Sequence, residues 1–108
     1  MLKRANRLAK SKDIQTAFAR GRTFFNPFFG IRFLPKVGEK RFTVVVSTKV
    51  YKSAVARNRL KRLVREYLRK NLGAFKSGSY VISVKPRISG LPEKDIVKQF
   101  LDAAGRIR

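Results

Sequence analysis

The cations of residues 52–70 are the groups best suited to chemistry, because this stretch holds eight Lys and Arg and a single acid, Glu66. Apolar side chains recur there at the spacing of one helix face, so the basic groups fall on the other faces. Like charges four residues apart on a helix repel each other unless an anion lies nearby. The pattern therefore favours nucleic-acid contact over a merely solvated face. The residues assigned to nucleic-acid contact are Lys52, Arg57, Asn58, Arg59, Lys61, Arg62, Arg65 and Arg69.

Asn58 is the one uncharged amide among these cations. Its side chain can donate to and accept from a base, a ribose or a phosphate. Asparagine is also a poor residue for a helix interior and often has a local capping role. The sequence leaves both readings of Asn58 open.

Catalysis by this chain is not expected. It contains no His and no Cys, which removes the commonest general base and the usual zinc ligands. Phosphodiester hydrolysis without His usually needs clustered carboxylates that hold metal ions. The six acids are instead scattered, so we assign no catalytic and no metal-binding residue. They are Asp13, Glu39, Glu66, Glu93, Asp95 and Asp102.

The phenylalanines are numerous for a small core, with nine in 108 residues. Some could form a platform on which single-stranded bases stack. For any single Phe, packing in the core is the simpler reading. Phe18 is ambiguous, because a short helix over a sheet could place it at the rim of a groove. The candidates are Phe18, Phe24, Phe25, Phe28, Phe29 and Phe33.

Charge dominates the composition, with 27 Lys and Arg against 6 Asp and Glu and a net charge of +21. Repulsion among so many positive charges destabilises a compact chain, and a polyanionic partner would relieve that repulsion. Nucleic acid is favoured over a membrane, since no apolar stretch reaches the length of about 20 residues that a bilayer requires. The first residues contain no apolar run typical of a signal peptide. We therefore expect the cytoplasm.

The chain reads as one domain, residues 1–108, in which residues 1–10 are either a flexible basic arm or a solvated terminus. Periodicity predicts helices over 11–20, from 53 to near 71 with Gly73 as the C-cap, and after Pro92. Strands are predicted over 28–34, 41–47 and 80–85. The β-branched run of the second strand indicates burial on both faces or a central position in the sheet. The expected class is α+β, with helices layered over a small sheet.

Residues 54–66, AVARNRLKRLVRE, closely resemble the signature of the bacterial ribonuclease P protein subunit. Segments on both sides support the resemblance: Asn6-Arg7-Leu8, the residues from Phe18 to Gly21-Arg22, and Tyr80-Val81-Ile82. The likeness covers about residues 4–100. The chain departs from the family pattern at Ile14, Arg32, Thr48 and Tyr51.

The resemblance implies a fold as well as a family. That fold is a two-layer α-β sandwich of order αβββαβα, of the ribosomal protein S5 domain 2 kind. It includes a left-handed βαβ crossover through the motif helix, whereas general rules for parallel strands favour the right-handed form.

The resemblance also implies a division of labour within a ribonuclease P holoenzyme. The RNA subunit holds the catalytic Mg²⁺ and removes the 5′ leader of precursor tRNA, leaving a 5′-phosphate on the mature tRNA. The protein binds no cofactor itself, docks its motif helix on the catalytic RNA, and offers the leader a cleft between the first helix and the sheet. The cleft residues assigned are Phe18, Arg32 and Lys49, with Phe29 and Phe33 as substitutes for missing family aromatics.

Two other classes of function remain open on the residues alone. A ribosomal or chromatin-type structural protein would also be strongly basic, and it would have no role in cleavage. A self-sufficient nuclease would cleave RNA without an RNA subunit, which the scattered acids disfavour.

Overall fold

The computed structural model describes residues 3–107 as one four-stranded sheet with helices on both faces. The element order confirms the predicted α+β class and the αβββαβα arrangement. Short 3-10 turns lie at Arg4–Asn6, Leu72–Ala74 and Pro86–Ile88. The main elements are α1 (Ser11–Arg20), β1 (Arg22–Phe25), β2 (Phe29–Pro35), β3 (Lys40–Val45), α2 (Ala54–Lys70), β4 (Gly78–Val84) and α3 (Glu93–Ala104).

The strands lie side by side in the order β1-β2-β4-β3. Neighbours are antiparallel except β3 and β4, which are parallel and are connected through α2. The left hand of this crossover remains a prediction. The expected central position of the β-branched strand is wrong, because β3 lies at an edge and Val45 is 42% exposed. Such a run marks a strand, but it does not fix the strand's place in the sheet.

The main core lies between one face of the sheet and the pair α2 and α3, which together form the predicted sandwich. Tyr80 is stacked between Phe33 and Phe42, with ring centroids 4.6 and 4.7 Å apart. Phe100 of α3 meets Phe29 edge-on at 5.4 Å. Each such side chain contributes about 1.5–3 kcal/mol on burial, so this layer provides most of the stability.

Helix α1 packs on the opposite face of the sheet. Its buried Ala17 lies against Val81 and Leu8, with Ile14 and Leu34 at the margin. The sequence-predicted stop of α1 is confirmed, since Gly21 is its C-cap and donates its N–H to the Ala17 carbonyl oxygen at 2.8 Å. Because α1 is short, part of this face is left uncovered.

The N-terminal residues that the structure describes lie along the edge strand β3. Arg7 forms a parallel bridge with Phe42, and the Leu8 N–H donates to the Phe42 carbonyl at 2.8 Å. The Asn6 amide donates to the Lys40 carbonyl at 2.8 Å. Leu8 is buried, so its apolar side chain fixes a segment whose composition suggested only charge. The segment covers the exposed edge of β3.

Asn26, in the turn between β1 and β2, joins the sheet to α3. Its side-chain oxygen accepts the N–H groups of Phe28 and Phe29 at 2.9 and 2.8 Å. Its side-chain nitrogen donates to the Gln99 carbonyl at 2.9 Å and to the Asp102 carboxylate at 3.0 Å. The amide is buried and uses both its donors and its acceptor oxygen, which makes it a structural junction.

Candidate nucleic-acid interface

Helix α2 is positioned by its apolar stripe, because Leu60, Val64 and Leu68 are buried against the sheet and α3. The Ser53 hydroxyl caps the helix by accepting the Ala56 N–H at 3.4 Å. The helix ends at Lys70 with Asn71 as the C-cap, so the prediction of Gly73 at that position is wrong. Burial of one stripe leaves the basic faces outside the core, as the periodicity predicted.

Arg57 is half-buried and bonded to the loop that precedes α2. Its Nη1 donates to the carbonyl oxygens of Tyr51 at 2.9 Å and Lys52 at 2.7 Å. A guanidinium has five N–H donors, so Arg57 can hold the loop and still bind an anion. Helical spacing predicts the face of α2 on which Arg57 lies. It does not predict that Arg57 bonds the carbonyl groups of the preceding loop.

The outer face of α2 carries Asn58, Arg59 and Arg62, which are exposed, while Lys61 and Arg65 are half-buried. Arg62 Nε lies 3.5 Å from the Asn58 carbonyl oxygen. Arg59 and Glu93 form an ion pair at 3.3 Å, but both side chains are well exposed, so a phosphate can displace the carboxylate. The exposed part of α2 therefore carries cations that an anion could reach.

Arg69 is paired within the helix. Its Nε lies 3.1 and 3.2 Å from the two Glu66 carboxylate oxygens. The hydrogen bonds from Arg69 lower the pKa of Glu66 to about 2. Glu66 therefore stays ionised at neutral pH and competes with any phosphate for the Arg69 guanidinium.

Arg7 joins this surface from the N-terminal segment, although it was not among the predicted contacts. It lines a groove of about 360 Å³ on α2 together with Arg59, Arg62 and Arg65, and Glu66 and Glu93 also contribute. Burial, and then the positive charge of Arg7, lower the pKa of Arg65. The sequence signals for Arg7 were the basic composition of residues 1–10 and the resemblance of Asn6-Arg7-Leu8 to the family, and neither placed it beside α2.

On the uncovered face of the sheet, the structure brings Phe18 and Arg32 together, as the resemblance implied for the cleft. The guanidinium carbon of Arg32 lies 4.6 Å from the centre of the Phe18 ring, and Nη1 donates to the Phe18 carbonyl at 2.7 Å. Phe18 is 41% exposed. The guanidinium thus lies over one face of a partly exposed aromatic ring.

Two of the predicted cleft residues are not part of this face. Phe29 and Phe33 are fully buried beneath α3 and α2, on the opposite side of β2 from Arg32. Successive side chains of a strand alternate between faces, so residues 29 and 33 cannot join residue 32. Lys49 is exposed in the loop after β3, where its N–H donates to the Ser47 hydroxyl at 3.3 Å. Lys52 is exposed at the end of the same loop.

The same face presents a second aromatic–cation pair, in which Phe25 is one of the stacking candidates from the sequence and Lys85 was not assigned. The Lys85 ammonium lies 4.8 Å from the centre of the Phe25 ring.

Within residues 3–107, no three His, Cys, Asp or Glu side chains lie close enough together to hold a metal ion.

Comparison with known sequences decides the family. The sequence model of the Ribonuclease P family matches residues 2–108. The chain belongs to the ribonuclease P protein family. Its sequence is 30% identical to the ribonuclease P protein component of Xylella fastidiosa, over 96% of this chain and 77% of that protein. The component from Bacillus velezensis is 37% identical over 75% of this chain and 71% of its own length.

The fold agrees with this membership. The ribonuclease P protein from Thermotoga maritima is 28% identical and has a TM-score of 0.83, covering 94% of this chain and 97% of that one. The family gives the protein a role in tRNA processing as a ribonuclease P subunit. In the part of the chain that the structure describes, no helix is both long and apolar enough to cross a bilayer.

Proposed function

We propose that this ribonuclease P protein binds the catalytic RNA of its holoenzyme through α2 and binds the 5′ leader of precursor tRNA on the uncovered face of the sheet. The holoenzyme then cleaves the leader endonucleolytically and releases the mature tRNA 5′ end with its phosphate. The proposed site of action is the cytoplasm. The observation that carries the proposal is that one chain of the family has two surfaces suited to RNA, the basic surface of α2 and the uncovered face of the sheet.

The α2 surface suits a folded RNA because its cations follow one helix, and Lys and Arg bind phosphates whatever the base sequence. Each phosphate neutralised by Lys or Arg releases condensed counterions, which drives association at low salt. Arg62 and the amide of Asn58 lie on the outer side of the helix, beside the groove that Arg7 and Arg65 line. Backbone contacts of this kind fix the register of an RNA without reading its sequence.

The Phe18–Arg32 pair suits a single strand, because aromatic rings and guanidinium planes both stack on bases, and the charge of Arg32 can meet a phosphate. The 5′ leader is a single-stranded part of precursor tRNA. In the proposed arrangement Mg²⁺ is held by the RNA subunit, and this chain reduces the repulsion between the phosphates of the two RNAs. The protein thereby raises substrate affinity and lowers the Mg²⁺ requirement.

The test adds this protein to a bacterial ribonuclease P RNA with precursor tRNA at an Mg²⁺ concentration where the RNA alone is slow. We expect faster formation of the mature 5′ end. Absence of any gain would refute the proposed role. Two alanine variants test whether α2 is the surface that binds the RNA. Arg62→Ala on α2 should flatten the salt dependence of RNA binding by about one phosphate contact. Lys98→Ala, an exposed cation on α3, should leave that dependence unchanged.

A further inference from the structure

A cavity of about 360 Å³, the Tyr51 pocket, lies between the N-terminal half of α2 and the start of α3. Its walls are mainly apolar and include Tyr51, Ala56, Leu60, Leu91 and Ile96. The side chain of Ala56 is a single methyl group, so α2 leaves space beside α3 at this level. Small-molecule sites have volumes of about 300–1,000 Å³ and mostly apolar linings, so the pocket is large enough for a flat ring.

Arg59 and Glu93 lie between the Tyr51 pocket and the basic groove on α2, because both residues line both cavities. They form an ion pair at 3.3 Å, in which the side chains are 78% and 59% exposed. An exposed pair of this kind is weak, so a phosphate can take the place of the Glu93 carboxylate. A phosphate bound to Arg59 would then lie at the mouth of the apolar pocket.

Tyr51 gives the pocket an aromatic wall. The residue is half-buried and packs against the main core. Arg57 Nη1 donates to the Tyr51 carbonyl oxygen at 2.9 Å, which holds the loop that carries the ring. Aromatic rings stack on all nucleobases, since every base has a π-face. Tyr51 is a departure from the family pattern, so the resemblance assigned no role to this ring.

We propose that the Tyr51 pocket binds one unstacked nucleobase of the catalytic RNA, with the phosphate of that nucleotide on Arg59. The inference rests on the proposed function, and it adds a base contact to a surface of α2 that otherwise meets phosphates. Proteins commonly recognise RNA through bases that leave the stack and pack on aromatic side chains. The pocket lies on the α2 and α3 side of the sheet, whereas Phe18 and Arg32 lie on the other side.

The charge around the pocket favours a nucleotide over an apolar peptide as the occupant. Arg59 lies at its mouth, and Arg62 and Arg65 line the adjoining groove. Lys52, which is exposed, follows Tyr51 in the chain. Cations at this density favour a polyanion through counterion release. A nucleotide joins a flat ring to a phosphate, and this combination matches an apolar pocket bordered by arginines.

Tryptophan fluorescence gives a direct test, because the chain contains no Trp. Tyr51→Trp places one fluorophore in the pocket and keeps an aromatic wall. We expect a bacterial ribonuclease P RNA to quench its emission, and an RNA duplex at the same phosphate concentration to quench it much less, since the duplex bases stay stacked. Leu101→Trp is the control, at a position on α3 that is 44% exposed and outside the pocket, and it should respond to neither RNA. Equal quenching of Tyr51→Trp by both RNAs, or none by the catalytic RNA, would overturn the proposal.

Two leucine variants in the first turn of α2 give an independent test. Ala56→Leu fills the pocket, whereas Ala54→Leu is the matched control at an exposed position outside it. Leucine is a good helix former, so neither change should disturb α2. We expect Ala56→Leu to weaken binding of the catalytic RNA about tenfold, and Ala54→Leu to bind as the wild type does. Equal affinities of the two variants would refute the base contact.

The salt dependence of binding distinguishes a base contact from a phosphate contact. Ala56→Leu should keep the wild-type slope of log K against log salt, because loss of the base leaves the phosphates on α2. Tyr51→Ser should show the same loss of affinity at an unchanged slope, and Tyr51→Phe should retain the affinity because it keeps the ring. A loss of affinity with a flatter slope would mean that phosphate contacts were lost, which contradicts the proposal.

The outcomes separate this inference from the proposed function. If the protein stimulates cleavage and Ala56→Leu binds the catalytic RNA as tightly as Ala54→Leu, the base contact is refuted and the function stands. If no stimulation occurs, the function fails, and quenching of Tyr51→Trp by the catalytic RNA still decides whether the pocket binds a base. Circular dichroism of each variant establishes that a loss is not due to unfolding.

Discussion

Replacing Arg57 by lysine should separate the two roles of this residue. Lysine keeps the positive charge but lacks the planar fork with which Arg57 reaches two carbonyl oxygens of the preceding loop. Hydrogen bonds from a charged donor contribute about 1.5–3 kcal/mol each. Both bonds use one nitrogen of a half-buried side chain, so we expect a total loss of about 2 kcal/mol in the free energy of unfolding. For a domain of this size the Tm should fall by about 8 °C.

Urea denaturation and salt-dependent RNA binding, measured on the same variants, provide the assay. Arg57→Lys should lower the urea midpoint while the slope of log K against log salt stays that of the wild type. Arg57→Ala should lower the midpoint similarly and also reduce that slope by about 0.7–0.9. Arg62→Ala, at an exposed position, should change the slope alone. If Arg57→Lys is as stable as the wild type, the loop contacts do not position α2 and the reasoning fails.

Three further predictions concern single side chains. Asn26→Ala leaves the N–H groups of Phe28 and Phe29 without their acceptor and removes the bonds to α3, and it should lower the free energy of unfolding by about 2–4 kcal/mol in urea titrations. Burial raises the pKa of Tyr80 to about 12, so the unfolded chain ionises first and stability should fall as pH rises from about 10 to 12; Tyr80→Phe should weaken that dependence. Glu66→Gln removes the carboxylate that occupies Arg69 and should tighten RNA binding and steepen its salt dependence.

Each of these has a result that would contradict it. A urea midpoint for Asn26→Ala within error of the wild type would show that the turn and α3 are not joined through this amide. Identical alkaline unfolding of wild type and Tyr80→Phe would place the titrating group elsewhere. Unchanged affinity of Glu66→Gln would mean that Arg69 does not meet the RNA.

The sequence predicted α2 well because its apolar residues recur at helical spacing over many residues, and only a helix places them all on one face. It did not predict β1, since Arg22–Phe25 is short and lacks alternation, and its strand conformation depends on pairing with β2. The resemblance supplied a third strand before α2, and the residues alone did not locate it. The role of Asn26 was also out of reach, because its partners Gln99 and Asp102 lie more than 70 residues away.

The candidate site was predicted in part for a similar reason. Helical spacing separates the cations of α2 from its core residues, but it does not reveal that Arg57 bonds the loop or that Arg69 bonds Glu66. Substituting Phe29 and Phe33 for the cleft aromatics ignored the two-residue alternation of a strand, which sends them to the core. The Phe25–Lys85 pair depends on a register between strands that no local pattern encodes.

The sheet separates the two proposed RNA contacts. Helix α2 rests on the face that carries Phe33, whereas Phe18 and Arg32 lie on the other, so the strands and a helix about 10 Å across keep the partners at a set distance. Close-packed interiors resist compression. The packing of the core therefore sets this distance, and neither surface does. We expect a volume change at a buried residue such as Leu68 to alter the spacing of the two proposed contacts, although that residue lies on neither surface.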